Sequence, residues 1–329
     1  MFDKPLTVPR ELLQAEALLG RLRSDHPKRQ EIESFIKIKR SGYNGEKAIN
    51  YYLGLYPEKR FYIFHDLRLL LNGKFFQMDV VLLTAKGILL LEGKNHSGKL
   101  TIERNQMVQE FAEKREIYEN PIAQAFRHKE LLRYWLEKHQ IPLLPIDYLV
   151  VISKPSTEVL LSPGYKEAEN KVCKAYDLLK KIGEVEQYFT KEYLDIKTMN
   201  KIRKLFLNKH TPKQTDILEK FGVSNEDVLT GTYCPSCLAT PMTYKQGKWV
   251  CLTCKYGTKD AHIKAVEDYF LLIKPSITNS EFRRFLEVPT SRAASYLLSL
   301  LTLPNKGVNR HRIYLYKSNH DSSIYKTPK

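Results

Sequence analysis

Residues 75–98 read FFQMDVVLLTAKGILLLEGKNHSG. Two apolar runs, 80–83 and 88–91, flank a tight turn at Thr84, Ala85, Lys86 and Gly87. Short, turn-bounded runs with almost no polar interruption fit strands covered on both faces. Charge sits only at the edges, with Asp79 before the first run and Glu92 and Lys94 after the second. Side chains alternate along a strand, so Glu92 and Lys94 point to one side with Gly93 between them. If the runs pair antiparallel about the turn, partner numbers sum to roughly 171, and Asp79 falls beside Glu92. Two carboxylates and an ammonium at the end of a buried hairpin suit a divalent-metal site. Solvated strand ends and guards against aggregation give the same pattern, so the surroundings must decide.

At 329 residues the chain exceeds one ordinary core, and two or three domains are expected. Apolar residues make up 43% and charged ones 27%, a globular balance, and 53 Lys and Arg against 37 Asp and Glu give a net charge of +16. That excess favours a polyanionic partner, nucleic acid or an anionic membrane surface. No apolar run is long enough to span a bilayer and the first residues lack a signal peptide's apolar stretch, so a cytoplasmic location without membrane insertion is the expectation. Four of the five cysteines form two CxxC pairs, which argues for metal over disulfides.

Residues 10–40 read as charged helices, with Leu12, Leu13, Ala15, Leu18, Leu19 and Leu22 in one apolar stripe and Ile32, Phe35, Ile36 and Ile38 in the next. Gly42, Asn44 and Gly45 read as a turn opening a further helix, whose first turn holds Glu46; an acid there is favoured by the helix dipole, an alternative to a catalytic role. Residues 61–71 read as a strand and Asn72-Gly73 as a hairpin turn. A strand follows near 99–103. Asn120-Pro121 then opens an amphipathic helix with Ile122, Ala125, Phe126, Leu131, Leu132, Trp135 and Leu136 inward, and residues 148–152 read as a central strand. The order of helix, three strands, helix and strand gives a mixed α/β (α+β) sheet domain.

The ordered set GE, QMD, EGKNHSG and NPIAQ, at Glu46, Asp79, Glu92 and Gln124, resembles the nuclease-related domain (NERD), a branch of the PD-(D/E)xK nuclease superfamily. The likeness runs from about Gly42 to Ile152, and the helical lead-in resembles that of Bacillus-type members. It implies a mixed-sheet nuclease fold and carries the acidic set onto Glu46, Asp79 and Glu92, the lysine onto Lys94 and the helical glutamine onto Gln124, with Gln77 also matching. Glycine is an uncommon central residue in the ExK triplet, but that position contributes mainly a carbonyl. The implied cofactor is Mg²⁺ or Mn²⁺, a hard ion that takes oxygen ligands, held by Asp79, Glu92 and the carbonyl of Gly93, with Glu46 entering directly or through water. Lys94 would orient or deprotonate the attacking water and offset transition-state charge. Gln124 either positions water or phosphate or is a surface residue. His96 reads as a loop residue.

Residues 171–189 and 196–210 read as helices. The second is very basic, and Lys201, Arg203, Lys204 and Lys209 either touch phosphate or are merely solvated. Cys173 reads as inert. Cys234 and Cys237, then thirteen residues, then Cys251 and Cys254 form two knuckles at the spacing of a structural Zn²⁺ site. With a hairpin turning at Gln246-Gly247, the segment resembles a zinc ribbon, too small to fold without the metal. Tyr233, Tyr244, Lys245, Lys248, Trp249 and Lys255 suit either nucleic-acid contact or scaffolding.

Residues 261–316 divide into three helices and a hairpin and resemble a winged helix-turn-helix. Thr278 or Asn279 caps the second helix and Thr290 or Ser291 the third. Arg292, Ser295, Tyr296 and Ser299 would face a major groove, with Lys306, Asn309, Arg310 and Arg312 in the wing; a protein-interaction module of the same fold is the alternative. The expected segments are 1–40 lead-in, 41–200 nuclease-type domain, 201–230 basic linker, 231–258 ribbon and 259–329 winged helix. Together they suggest a metal-dependent DNA endonuclease acting on double-stranded DNA, in foreign-DNA defence or DNA processing, with a homodimer or a partner protein as options. The rival is a DNA-binding protein with an inactive nuclease fold.

Overall fold

The computed structural model describes residues 2–56, 61–308 and 311–316. In chain order it forms β1 (Phe2–Lys4), α1 (Arg10–Gly20), α2 (Arg29–Gly54), β2 (Tyr62–Leu71), β3 (Lys74–Leu83), β4 (Ile88–Lys94), β5 (Lys99–Ile102), β6 (Gln106–Phe111), β7 (Lys114–Glu119), α3 (Pro121–Lys138), β8 (Ile146–Ile152) and β9 (Glu158–Leu161). Then come α4 (Lys166–Lys171), β10 (Val172–Lys174), α5 (Leu178–Tyr188), α6 (Ile196–Lys209), α7 (Ile217–Phe221), β11 (Thr243–Lys245), β12 (Lys248–Val250) and β13 (Gly257–Thr258). The chain closes with α8 (His262–Leu272), β14 (Ser276–Thr278), α9 (Asn279–Leu286), α10 (Ser291–Leu300), β15 (Asn305–Lys306) and β16 (Ile313–Leu315). Two compact units result: the chain up to Thr7 with Arg40–Gln214, and Val8–Lys39 with the chain from Thr215 on.

The first unit is built on a six-stranded mixed sheet in the order β1-β2-β3-β4-β8-β10. The β3–β4 hairpin has the expected register: Val80 faces Leu91 and Leu83 faces Ile88, every pair summing to 171. Both faces of the hairpin are covered, which is why its sequence is apolar at every position. Val81, Leu83, Ile88 and Leu90 join Ile122, Leu132 and Trp135 of α3 and Ile202 and Phe206 of α6. Val80, Leu82, Leu89 and Leu91 join Ile49 and Leu53 of α2 and Leu178 and Ile182 of α5. The strand over 148–152 is central as expected, lying parallel to β4 on one side and β10 on the other.

Four expectations are corrected. Gly42, Asn44 and Gly45 make no turn; α2 runs unbroken through them. A Cβ on Gly45 would lie 2.6 Å from Asn95 Cβ and 2.8 Å from Ser153 Oγ, so this glycine serves close approach of the helix to the sheet rather than a bend. Residues 172–174 are a strand, parallel to β8, not the start of a helix. Phe126 is 48% exposed and is not part of the inward stripe of α3. Residues 106–119, for which no element was expected, form the β6–β7 hairpin of a second sheet, β7-β6-β5-β9, whose Leu100, Ile102 and Met107 pack into the α3 core. Cys173 is half-buried, and burial pushes its thiol up to about 12, in line with an inert residue.

In the second unit, Ala15, Leu18 and Leu22 at the end of the lead-in and Ile32 of α2 share one core with α7, α8, α9 and α10. Arg21 is fully buried there, its Nε 2.8 Å from Asp268 Oδ2 and its Nη1 donating to the carbonyl of Leu229 at 2.7 Å. Paired and hydrogen-bonded in this way, the charge can be accommodated inside. The sheets β11-β12-β13 and β14-β16-β15 complete the unit. Thr278 caps α9, reciprocally with Glu281, and Thr290 caps α10.

Candidate active site

The site is set by the end of β4 and the first turns of α3. Asn120 fixes where α3 begins: its Oδ1 accepts from Ile122 N at 2.7 Å and its Nδ2 donates to the carbonyl of Glu103 at 2.7 Å. Gln124 therefore falls in the first turn of the helix and His128 one turn later on the same face. Lys94 Nζ donates to Gln124 Oε1 at 2.9 Å and to Glu92 Oε1 at 2.8 Å. His128 Nδ1 lies 3.4 Å from Glu92 Oε2, so both oxygens of Glu92 are engaged. Strand alternation sends Glu92 and Lys94 towards α3, while Gly93 turns to α2, where an added Cβ would come 2.9 Å from Ile49 Cδ1. The Gly93 N–H donates to Asp79 Oδ2 at 2.8 Å.

The two acids differ electrostatically. Burial, then the nearby charges of Glu92 and Glu46, push the Asp79 carboxyl well above the usual range. Burial also works against an ionised Glu92, but the His128 hydrogen bond and the adjacent Lys94 outweigh it and hold this carboxyl below its ordinary value. Glu46 lies in the middle of α2, not in a first turn, and is half-buried. Its dipole-based explanation therefore falls away.

The structure thus brings Asp79, Glu92, Gly93, Lys94 and Gln124 together, with Glu46 near enough to act on Asp79. Gln77 instead donates to Asp66. His96 is a loop residue, its Nδ1 2.9 Å from Gln109 Oε1. The sequence reading missed His128; its spacing four residues after Gln124 was the available signal. The ligand atoms of Glu46, Asp79 and Glu92 spread wider than a closed cation cage: among the described residues, only Cys234, Cys237, Cys251 and Cys254 form a group of three or more such side chains with ligand atoms within 4.8 Å of one another.

Those cysteines meet as the knuckle spacing requires. Cys234 Sγ is 3.5 Å from Cys254 Sγ, and Cys237 Sγ is 3.6 Å from Cys251 Sγ. A tetrahedral site with metal–sulfur bonds of about 2.3 Å needs sulfurs roughly 3.8 Å apart, so the cluster can hold a metal such as zinc. The hairpin turns at Gln246-Gly247 between β11 and β12, with Tyr244 facing Trp249. Of the two readings of the aromatics, their packing favours scaffolding: Trp249 and Tyr244 belong to the core of the unit, and Tyr233 Oη donates to the Gly20 carbonyl.

On α10, Arg292, Ser295, Tyr296 and Ser299 are all exposed, apart from the core of the helix, as are Lys306 and Arg312 beyond it. Ser295 Oγ accepts from Asn279 Nδ2 at 2.9 Å. Asn309 and Arg310 lie outside the described residues.

The family model of the nuclease-related domain (NERD) matches residues 41–153. That stretch carries Glu46, Asp79, Glu92, Lys94, Gln124 and His128. Comparison with curated proteins finds no match, and neither does comparison with solved structures.

Proposed function

We propose that the chain is a divalent-metal-dependent DNA endonuclease. The observation that carries the reading is Lys94, whose ammonium joins Glu92 to Gln124 beside Asp79, within the stretch similar to the nuclease-related domain. An all-oxygen donor set fits Mg²⁺ or Mn²⁺. Burial, then the charges of Glu92 and Glu46, raise Asp79, and a bound cation would offset that cost of ionisation. Asp79, Glu92 and the carbonyl of Gly93 would hold the ion, with Glu46 behind them. Once bound, such an ion polarises a phosphate and acidifies a water.

The chain's own residues supply the rest. Lys94 orients the attacking water and offsets charge on the pentavalent transition state. Gln124 holds the Lys94 ammonium in register, and His128 steadies the second oxygen of Glu92. Elsewhere, the four cysteines would hold structural Zn²⁺ in a ribbon. Residues 262–316, with three helices and the β14-β16-β15 sheet, would act as a winged helix presenting Arg292, Tyr296, Lys306 and Arg312 to double-stranded DNA. Foreign-DNA defence or DNA processing is the setting in which these parts make sense together.

The test is cleavage of supercoiled, linear and single-stranded DNA with Mg²⁺, Mn²⁺ or EDTA, with Lys94→Ala run beside the wild type. Metal-dependent nicking that Lys94→Ala loses is the expected result. A second reading is favoured by the engagement of both Glu92 oxygens with Lys94 and His128: a DNA-binding protein with a closed, inactive site. Tight binding without cleavage of any substrate would select it.

A further inference from the structure

The basic helix α6 belongs to the first unit and contributes none of the site residues described above. Its apolar side is settled by Ile202 and Phe206, both fully buried in the α3 core. At about 100° per residue, Lys197, Lys201, Lys204 and Asn208 fall within an arc of about 60° on the far side of the helix. All four are exposed. The helix contains no aspartate or glutamate, and Asp195, just before it, is committed to the cap, accepting from Thr198 N at 2.7 Å. Lys201 Nζ donates to a backbone carbonyl, that of Gln140, at 3.3 Å.

Arg203 is different, correcting its sequence-based inclusion among the phosphate candidates. Its Nε is 2.6 Å and its Nη2 2.9 Å from the two oxygens of Asp3, and its guanidinium lies over the Tyr62 ring. It fastens α6 to β1 and Tyr62 rather than facing solvent. Lys209 falls outside the outward arc.

We propose that the face made by Lys197, Lys201 and Lys204 is a docking surface for the phosphate backbone of duplex nucleic acid. The nuclease-type unit would thereby hold substrate without help from the C-terminal modules. The three lysines extend over roughly 10 Å of helix. That is the reach of a few successive phosphates at about 3.4 Å of axial rise each along one strand. Lysines of this kind, with no acidic side chain and no apolar neighbour in the arc, recognise charge and not sequence. A membrane-surface helix would turn its apolar residues outward along with its lysines, whereas Ile202 and Phe206 are taken by the core and the exposed Ile196 and Leu207 lie outside the lysine arc. The inference rests on the nucleic-acid reading above but not on catalysis.

Binding of the full chain to a duplex of fixed length is measured against salt, for wild type and for Lys197→Gln/Lys201→Gln/Lys204→Gln. The expected result is weaker binding and a fall of roughly 2 to 3 in the slope of log affinity on log salt, about 0.9 for each phosphate that is no longer neutralised. The double variant Lys197→Gln/Lys204→Gln spares the Lys201 bond to the Gln140 carbonyl and should give a fall of up to roughly 2. Arg203→Gln, tied internally, should leave the slope unchanged. Wild-type slopes in both lysine variants overturn the proposal while leaving the nucleic-acid reading intact. A wild type that binds no DNA at low salt overturns both. Binding of phosphatidylserine vesicles but not DNA, lost in the same variants, overturns it in favour of a membrane.

Discussion

Lys94 and His128 together take both oxygens of Glu92, while Asp79 meets the N–H of Gly93. The division of labour predicts graded losses. Lys94→Ala removes the group placed to act on water and transition state, and cleavage should fall by roughly 10²–10⁴-fold. His128→Ala loosens a ligand without touching the reacting atoms, and should cost roughly 10–100-fold in metal affinity or activity. Equal losses in the two variants would contradict the assignment, as initial rates at saturating Mn²⁺ would reveal. A different residue contributes to the response to acid. His65 on β2 is fully buried, neither ring nitrogen has a hydrogen-bond partner among the described residues, and burial, with Lys4 nearby, lowers it to about 4. Its unfolded value is about 6.5. Between these values the unfolded chain binds the proton and the folded chain does not, so stability is complete above the window and drains away as pH falls through it, by at most about 1.4 kcal/mol per pH unit. The gap between urea midpoints at pH 7 and pH 5 should narrow in His65→Leu, while His210 and His262, which burial also lowers to about 4, keep part of it. An unchanged pH dependence would acquit His65.

Helix α2 shows how one element can contain two kinds of glycine. Gly42 has nothing within 4 Å of a built Cβ, whereas Gly45 is pressed against Asn95 and Ser153. Gly42→Ala should therefore stabilise by about 0.5–1 kcal/mol through backbone entropy. Gly45→Ala should destabilise by roughly 1–3 kcal/mol through overpacking. Thermal melts of the two variants against wild type decide it; shifts of the same sign would mean that α2 does not approach the sheet as described. In the sequence both glycines, with Asn44 between them, look like one turn. Composition speaks to the local chain, whereas the partner that makes Gly45 necessary lies far along it at Asn95. The β3–β4 hairpin is the opposite case. Its register was readable because the turn at Thr84 and Gly87 fixes it locally, with Thr84 N donating to the Gly87 carbonyl at 3.0 Å.

Across the molecule, the four cysteines would make the second unit's fold depend on a metal. A metal site absent from the unfolded chain contributes its binding free energy to folding. Zinc should be recovered at about one per chain by elemental analysis, and a strong chelator, or Cys234→Ser, should lower the melting temperature and expose the buried Trp249 to quencher. Retention of Trp249 burial after complete metal loss would refute this. The sequence alone determined what depends on near neighbours: the β3–β4 pairing and its register, the start of α3 at Asn120-Pro121, the two CxxC knuckles, and most of the candidate site, since Asp79, Glu92 and Lys94 sit on one hairpin, whereas the structure chose Thr278 over Asn279 and Thr290 over Ser291 as caps. Only the tertiary structure decided what depends on distant partners. It placed His128 on Glu92, ran α2 through its glycines and tied Arg203 to Asp3. It buried the ribbon's aromatics, added the β6–β7 hairpin, and grouped Val8–Lys39 with the chain from Thr215 on. Periodicity states which side of an element is apolar but not which surface will cover it. That choice is made by packing between segments far apart in the chain.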